Sequence, residues 1–322
     1  MLDILIVGAG PAGSAAAIEI ANISPSLAPR VLVIDQATFP RPKLCGGGVT
    51  SDADKQLAAL GVRIDIPSIP IRHMQMRLGA RVWHWRGENL FRVVRREEFD
   101  YALVKEARAR GITVHEGQAL VELTPDAGDN TLIVRTGRDE YRARIVIGAD
   151  GANSVVRQKI GLARWDRISR LIEILTPVDA ARAPEFRNNT AVFDFTPLLD
   201  GVQGYYWDFP SVKNGEAQMN RGVFDSRVRP ERSRANLKSA FAERLHTRGV
   251  EINGTKLAGH PERWFDPYAK HSTRRVLLAG DAAGAEPLLG EGISYALEFG
   301  RFAARYALAA LEQNEFAFDD YE

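Results

Sequence analysis

Apolar residues fill positions 4–7 without a break (Ile-Leu-Ile-Val), glycines follow, and alanine and isoleucine dominate positions 11–22. A run this short predicts a strand covered on both faces, and the alanine-rich stretch predicts a buried helix. Positions 30–35 (RVLVID) predict a second strand that ends on an acid, after an unusually long connection, NISPSLAP. This is a βαβ unit. A glycine-rich loop over 41–49 then precedes a polar helix near 51–60. From about 67 to 95 the apolar period shortens to two, in IRHMQMRL, ARVWHWRG and LFRVV, predicting three short strands. There Trp83 and Trp85 share one face and His84 takes the other. A helix at 97–110, the strand ITVHEG and a hairpin (120–136, 141–147) lead to the sequence IGADG. Segments 168–176, 190–195, 204–209 and 217–225 read as further strands, and 230–247 as an amphipathic helix. RRVLLAGD (274–281) returns to a buried strand, and a last helix covers about 290–312.

Strand–helix alternation at both ends predicts an α/β, Rossmann-like domain, βαβ with a parallel sheet, into which strand-rich material is inserted twice. The first domain is expected to take residues 1–66, 97–160 and 274–322, and the second, antiparallel and carrying helices, 67–96 and 161–273. The 322 residues suffice for about two domains. With 45% hydrophobic residues, 26% charged residues and a net charge of +1, there is no electrostatic case for nucleic acid. Cys45 is the only cysteine, which excludes an internal disulfide, and the six histidines show no metal-ligand spacing. The chain opens directly into a strand and holds no long apolar run, so a cytoplasmic location is expected.

GAGPAG at 8–13 joins the first strand to its helix. Gly8 permits the tight turn, Gly10 lets phosphate approach the backbone, and Gly13 lets helix and strand pack. Ala12 and Gly13 then offer the N–H groups of a helix N-terminus to a pyrophosphate. Asp35, closing the second strand, is placed for adenosine ribose hydroxyls. These residues alone leave NAD and FAD open. GDAAGAEPLLGEGI at 280–293 decides for FAD, because two glycine-opened helices from opposite ends of the chain suit one extended ligand. Asp281 is placed for the ribityl hydroxyls, and Gly290, Gly292 and Ile293 start a helix whose positive end faces the flavin pyrimidine.

GAGPAG, ADGANSVVR (149–157) and GDAAG together resemble the flavoprotein superfamily of aromatic hydroxylases and geranylgeranyl reductases. Hydroxylases usually carry histidine after GDAA, where this chain has Gly284. PRPKLCGGGV, GYYWDFP (204–210) and RREEFD (95–100) are similar to motifs of the geranylgeranyl reductase family. Val202 and Leu289 depart from it, standing where proline and threonine are common, and relatives continue past the position of DDYE. The resemblance implies that Cys45, Gly46 and Gly47 lie near the reactive flavin face. It places Arg96 and Asp150 toward the cofactor, and Tyr205, Trp207, Phe209 and Pro210 in a substrate cavity. Pro210 is also expected to end its strand. Two readings of Cys45 stand: a catalytic redox or gating group, and a small inert hydrophobe.

The function implied is reduction of prenyl double bonds by reduced FAD, on a prenyl lipid or diphosphate. NAD(P)H or a ferredoxin-like protein would supply electrons. Peripheral membrane contact is compatible with such a substrate, and Arg221, Arg227, Arg229, Arg232 and Arg234 are candidates for an anionic headgroup. Two alternatives remain open: a monooxygenase or halogenase acting on a small aromatic, and a flavoprotein passing electrons to a quinone.

Overall fold

The computed structural model describes residues 1–126, 128, 130–162, 167–251 and 257–321. Residues 163–166 and 252–256 of the expected second domain, and residues 127, 129 and 322 of the first, lie outside the described residues. The chain begins with β1 (Leu2–Val7), α1 (Pro11–Ile23), a 3-10 turn (Pro25–Arg30) and β2 (Val31–Asp35). Then come β3 (Gly48–Thr50), α2 (Ser51–Ala59), β4 (Ser68–Leu78) and β5 (Arg81–Val94). Helix α3 (Arg96–Ala109) leads to β6 (Thr113–Glu116), β7 (Leu120–Asp126), β8 (Thr131–Thr136) and β9 (Glu140–Gly148). A short α4 (Val155–Lys159) precedes β10 (Ile168–Pro177), α5 (Pro184–Arg187) and β11 (Thr190–Asp194). After them run β12 (Gly204–Lys213), β13 (Glu216–Asp225), α6 (Leu237–Thr247) and β14 (Ala258–Arg263). The order closes with β15 (Ser272–Thr273), β16 (Val276–Leu278) and α7 (Ile293–Gln313).

Among the described residues these strands form two eight-stranded sheets. The first runs β15-β16-β9-β1-β2-β6, with β16, β9, β1, β2 and β6 parallel, and β7 and β8 extending it antiparallel from β9. The second runs β14-β10-β13-β12-β11-β4-β5-β3 and is antiparallel except where β11 meets β4. In the first sheet, Ile4 and Ile6 on one face and Leu5 and Val7 on the other are buried in separate clusters. That double burial is why β1 reads as an unbroken apolar run. Small residues bring α1 and α7 together: a Cβ on Gly300 would lie 2.1 Å from the Ala12 carbonyl oxygen. Ala15, Ala16, Ala303, Ala304 and Ala307 are fully buried beside that contact.

Several expected elements are redrawn. The strands foreseen at 81–95 join into the single β5, irregular in register against β4 between Ile71 and His73. β3 pairs with β5, so 48–50 belongs to the second sheet although it precedes residue 67. The helix expected from 230 starts at Leu237. Asn236 caps it through Ser239 N–H, while the Arg227 guanidinium donates to the carbonyls of Pro230, Arg232 and Ser233 and holds them in a loop. Pro210 does not end its strand: β12 runs on to Lys213. Past Asp208 its recorded register is with β13 alone, which leaves an open side for a residue without an N–H.

Candidate active site

The cradle at the end of β1 is shaped by contacts only glycine permits. Gly8 has φ +103°, and a Cβ there would lie 2.3 Å from the Ala149 carbonyl oxygen. On Gly13 a Cβ would meet the Gly8 carbonyl oxygen at 1.8 Å. Gly10 is less confined: a Cβ there would make only an ordinary contact, with Arg41 Nη2 at 3.5 Å. Gly10 opens α1 with no side-chain cap, which leaves the N–H groups of Ala12 and Gly13 uncapped. Asp35 is buried and accepts from Ala9 N–H at 2.7 Å and Ala37 N–H at 2.8 Å, steadying the cradle's two flanks.

The C-terminal glycine motif lies against this cradle. A Cβ on Gly280 would sit 2.7 Å from Ala12 Cβ, so the two ends of the sequence meet at α1. Gly292 opens α7 without capping it, and Glu291 accepts from Ser294 N–H at 3.2 Å. Ile293 is buried in the core, so only its backbone can serve a ligand. Asp281 and Glu262 flank Gly292: a Cβ there would lie 3.7 Å from Asp281 Oδ1 and 3.2 Å from Glu262 Oε1.

Above this turn stands one face of the second sheet. Residues opposite one another in a ladder share a face. The register therefore aligns Glu173, Gly222, Trp207 and Phe193 in one row, and His260, Leu171, Phe224 and Tyr205 in the next. Tyr205, Trp207, Phe209 and Phe224 are buried, and Tyr205 Oη donates to the Leu289 carbonyl at 2.5 Å. Gly46 seats its loop on this face, a Cβ there lying 3.0 Å from a Phe209 ring carbon. Gly47, at φ +78°, would place a Cβ 2.2 Å from the Val94 carbonyl oxygen. Cys45 is half-buried between the sheets: its N–H donates to Glu173, its carbonyl accepts from Asn220 Nδ2 at 2.9 Å, and its Sγ accepts from Gly47 N–H at 3.3 Å. Asn220 in turn accepts from Trp207 Nε1 at 2.8 Å.

Charge is concentrated here. Burial, with Asp281 beside it, pushes Glu262 up to about 8. Among the described residues its Oε2 is buried without a hydrogen-bond partner. Burial raises Glu173 to about 7 against the pull of Arg95. Lys43 contacts the His260 ring; burial lowers both, and with the Lys43 charge adjacent it takes His260 down to about 3. Arg96 is held charged against its burial by a bidentate pair with Asp100 (2.8 and 3.1 Å), which also accepts from Arg41 at 3.2 Å.

The arrangement fits an extended dinucleotide: open N–H groups at α1, a glycine floor at 290–292, and carboxylates at Asp35 and Asp281. Asp150 accepts from Ser154 Oγ at 2.6 Å and from Val155 and Val156 N–H, so its carboxylate caps α4. Arg221 pairs with Asp208 at 2.6 Å, and Arg227 is spent on loop carbonyls, which removes both from the set proposed for a headgroup. Arg41, Lys43, Glu173, Asn220, His260 and Glu262 were not singled out from sequence. Arg41 and Lys43 had one signal, their place in the glycine loop; the others lie on strands whose pairing no local pattern announces. A cleft of about 550 Å³ lined by Leu57, Val62, Ile66 and Arg92 includes none of the glycine motifs.

Fold and site define an FAD-dependent oxidoreductase. A family described as FAD binding domain matches residues 1–298. The menaquinone reductase of Mycolicibacterium smegmatis is 31% identical over 94% of this chain and 75% of its own length. Digeranylgeranylglycerophospholipid reductase 3 of Methanosphaera stadtmanae is 29% identical over 98% and 79%. A geranylgeranyl bacteriochlorophyll reductase-like protein of Thermoplasma acidophilum superposes with a TM-score of 0.78 at 24% identity, over 98% of this chain and 80% of that one. The chain belongs to the FAD binding domain family, in its geranylgeranyl reductase branch.

Proposed function

We propose that the chain saturates carbon–carbon double bonds in the prenyl chain of a lipid or quinone. The observation that carries this reading is the buried aromatic face of Tyr205, Trp207, Phe209 and Phe224, set directly against Gly46 and the Gly290 turn. Such a surface selects by shape and burial. Unactivated alkenes resist hydride addition, so the reacting bond must be held in a dry, fixed position. FAD, when reduced, supplies the hydride. The protein's own residues bind the chain, exclude water and hold the proton. Glu262, raised to about 8, is protonated at neutral pH, and its free Oε2 makes it the acid for the second carbon. Hydride and proton together add two hydrogens across the bond.

The names of two relatives support the substrate class, because menaquinone and digeranylgeranyl lipids both carry prenyl chains. NAD(P)H or a ferredoxin-like protein is the donor consistent with this chemistry, at a cytoplasmic site with peripheral access to lipid. No helix among the described residues is long and apolar enough to cross a membrane. Oxygen chemistry on a small aromatic is disfavoured by Gly284: at φ +146°, a Cβ there would lie 2.4 Å from the Phe265 backbone, so this backbone has no room for a histidine. The test is anaerobic: reduce the purified flavoprotein with dithionite, add geranylgeranyl diphosphate and weigh the product. A gain of two hydrogens per saturated bond is expected. Unchanged lipid under full flavin reduction would overturn the proposal.

A further inference from the structure

The aromatic face of the second sheet does not end at the site. Trp207 stands opposite Phe193 on β11, Phe193 beside Met76 on β4, and Met76 opposite Trp83 on β5. In the neighbouring row Ala191 lies beside Met74, and Met74 opposite Trp85. One apolar track thus crosses four strands. Strands lie about 4.8 Å apart, so the three steps from Trp207 to Trp83 span roughly 14 Å. Exposure rises along it, from 4% at Trp207 through half-buried Phe193 and Met76 to 44% at Trp83 and 43% at Trp85. The opposite face of β4 and β5 carries Gln75, Arg77, His84 and Arg86, with Val82 its one apolar residue over that stretch. Two exposed tryptophans on a face this apolar stand out against a surface where single apolar residues are ordinary.

We infer that this track binds the distal isoprene units of the substrate, whose reacting double bond lies between Gly46 and the Gly290 turn. The inference rests on the prenyl reading above. Continuity argues for that occupant: the exposed end is joined, ladder position by ladder position, to the buried face where the reaction is placed. The span matches several isoprene units laid across the strands. Two methionines at its centre suit a methyl-branched chain, since their unbranched side chains adapt to irregular surfaces. The tryptophans give the tail a wide apolar exit at little cost in rotamer entropy.

The test is equilibrium binding of geranyl diphosphate and geranylgeranyl diphosphate to the flavin-loaded protein by calorimetry, for wild type and Trp83→Ala/Trp85→Ala. The double variant is expected to lose about tenfold in affinity for the twenty-carbon chain, the effect of roughly 50–60 Å² of lost apolar contact, and nothing for the ten-carbon chain. Trp83→Leu/Trp85→Leu, which keeps apolar surface, is expected to retain most of that affinity and covers the case of a poorly folded alanine variant. Equal loss for both chains, or none for the longer, overturns the track. If the longer chain binds wild type more tightly and the alanine variant no less so, the prenyl reading stands and the track falls. Wild type that binds neither chain removes both. Loss of binding to anionic phospholipid vesicles with unchanged chain affinity would make the tryptophans a membrane contact and overturn the inference.

Discussion

Gly222→Ala has a cost that can be worked from geometry. A Cβ at 222 would lie 2.0 Å from Cζ2 and 2.2 Å from Cη2 of Trp207. The indole is 4% exposed and packs against the rings of Tyr205 and Phe209, so moving it disturbs the whole aromatic face. Tilting it breaks the 2.8 Å bond from Nε1 to Asn220, which itself holds the Cys45 carbonyl at 2.9 Å. Overpacking a core costs about 1–3 kcal/mol, and a buried hydrogen bond contributes about 0.5–1.5 kcal/mol. A loss of about 2–4 kcal/mol is therefore expected, read as a lower urea midpoint by circular dichroism. The decisive experiment is a double-mutant cycle with Trp207→Leu, which removes the clashing ring atoms. On that background Gly222→Ala should cost less than about 1 kcal/mol, leaving a coupling of about 1–3 kcal/mol. Additive effects would refute the packing argument, since the penalty would then arise from something other than the indole.

Gly13→Ala, whose Cβ would meet the Gly8 carbonyl oxygen at 1.8 Å, should yield protein purified without flavin, whereas Gly137→Ala, facing open space, should keep its full 450 nm absorbance; equal flavin content in the two would refute the cradle. Asp100→Asn leaves the Arg96 and Arg41 guanidiniums facing a neutral amide and should cost about 3–5 kcal/mol by thermal or urea unfolding; a change below 1 kcal/mol, on that same scale, would show the cluster to be solvated. Glu262 is raised from its ordinary 4.5 to about 8, so between those values the fold holds a proton that the unfolded chain has released. Wild-type stability should therefore fall as pH rises through that window and level off above it, while Glu262→Gln loses this component of the slope; parallel denaturation curves from pH 5 to 9 would contradict the raised value.

Three features of the site were legible because each is local. The GAGPAG turn, Asp35 at a strand end and the glycine-opened C-terminal helix each declare themselves within a few residues, and the steric demands at Gly8 and Gly13 explain why no other residue stands there. The alternation of Tyr205, Trp207 and Phe209 likewise marked one strand face. Where local pattern misled, a long-range contact was responsible. The arginine-rich segment before α6 carries the composition of a helix, but Arg227 spends its donors on three carbonyls and keeps the segment in a loop. Pro210 signals a strand end, yet the ladder to β13 carries the strand through it.

The sequence by itself determined the cofactor class and the flavoprotein fold, because phosphate-binding turns need particular residues at consecutive positions. Only the tertiary structure decided which side chains meet beside the glycine turns. Glu173 and Glu262 come from β10 and β14, Asn220 from β13 and Lys43 from a loop, and the register of the second sheet brings them onto one face with the aromatics. The raised proton affinities of Glu173 and Glu262 and the lowered one of Lys43 arise from burial between the assembled sheets, which no stretch of sequence carries alone.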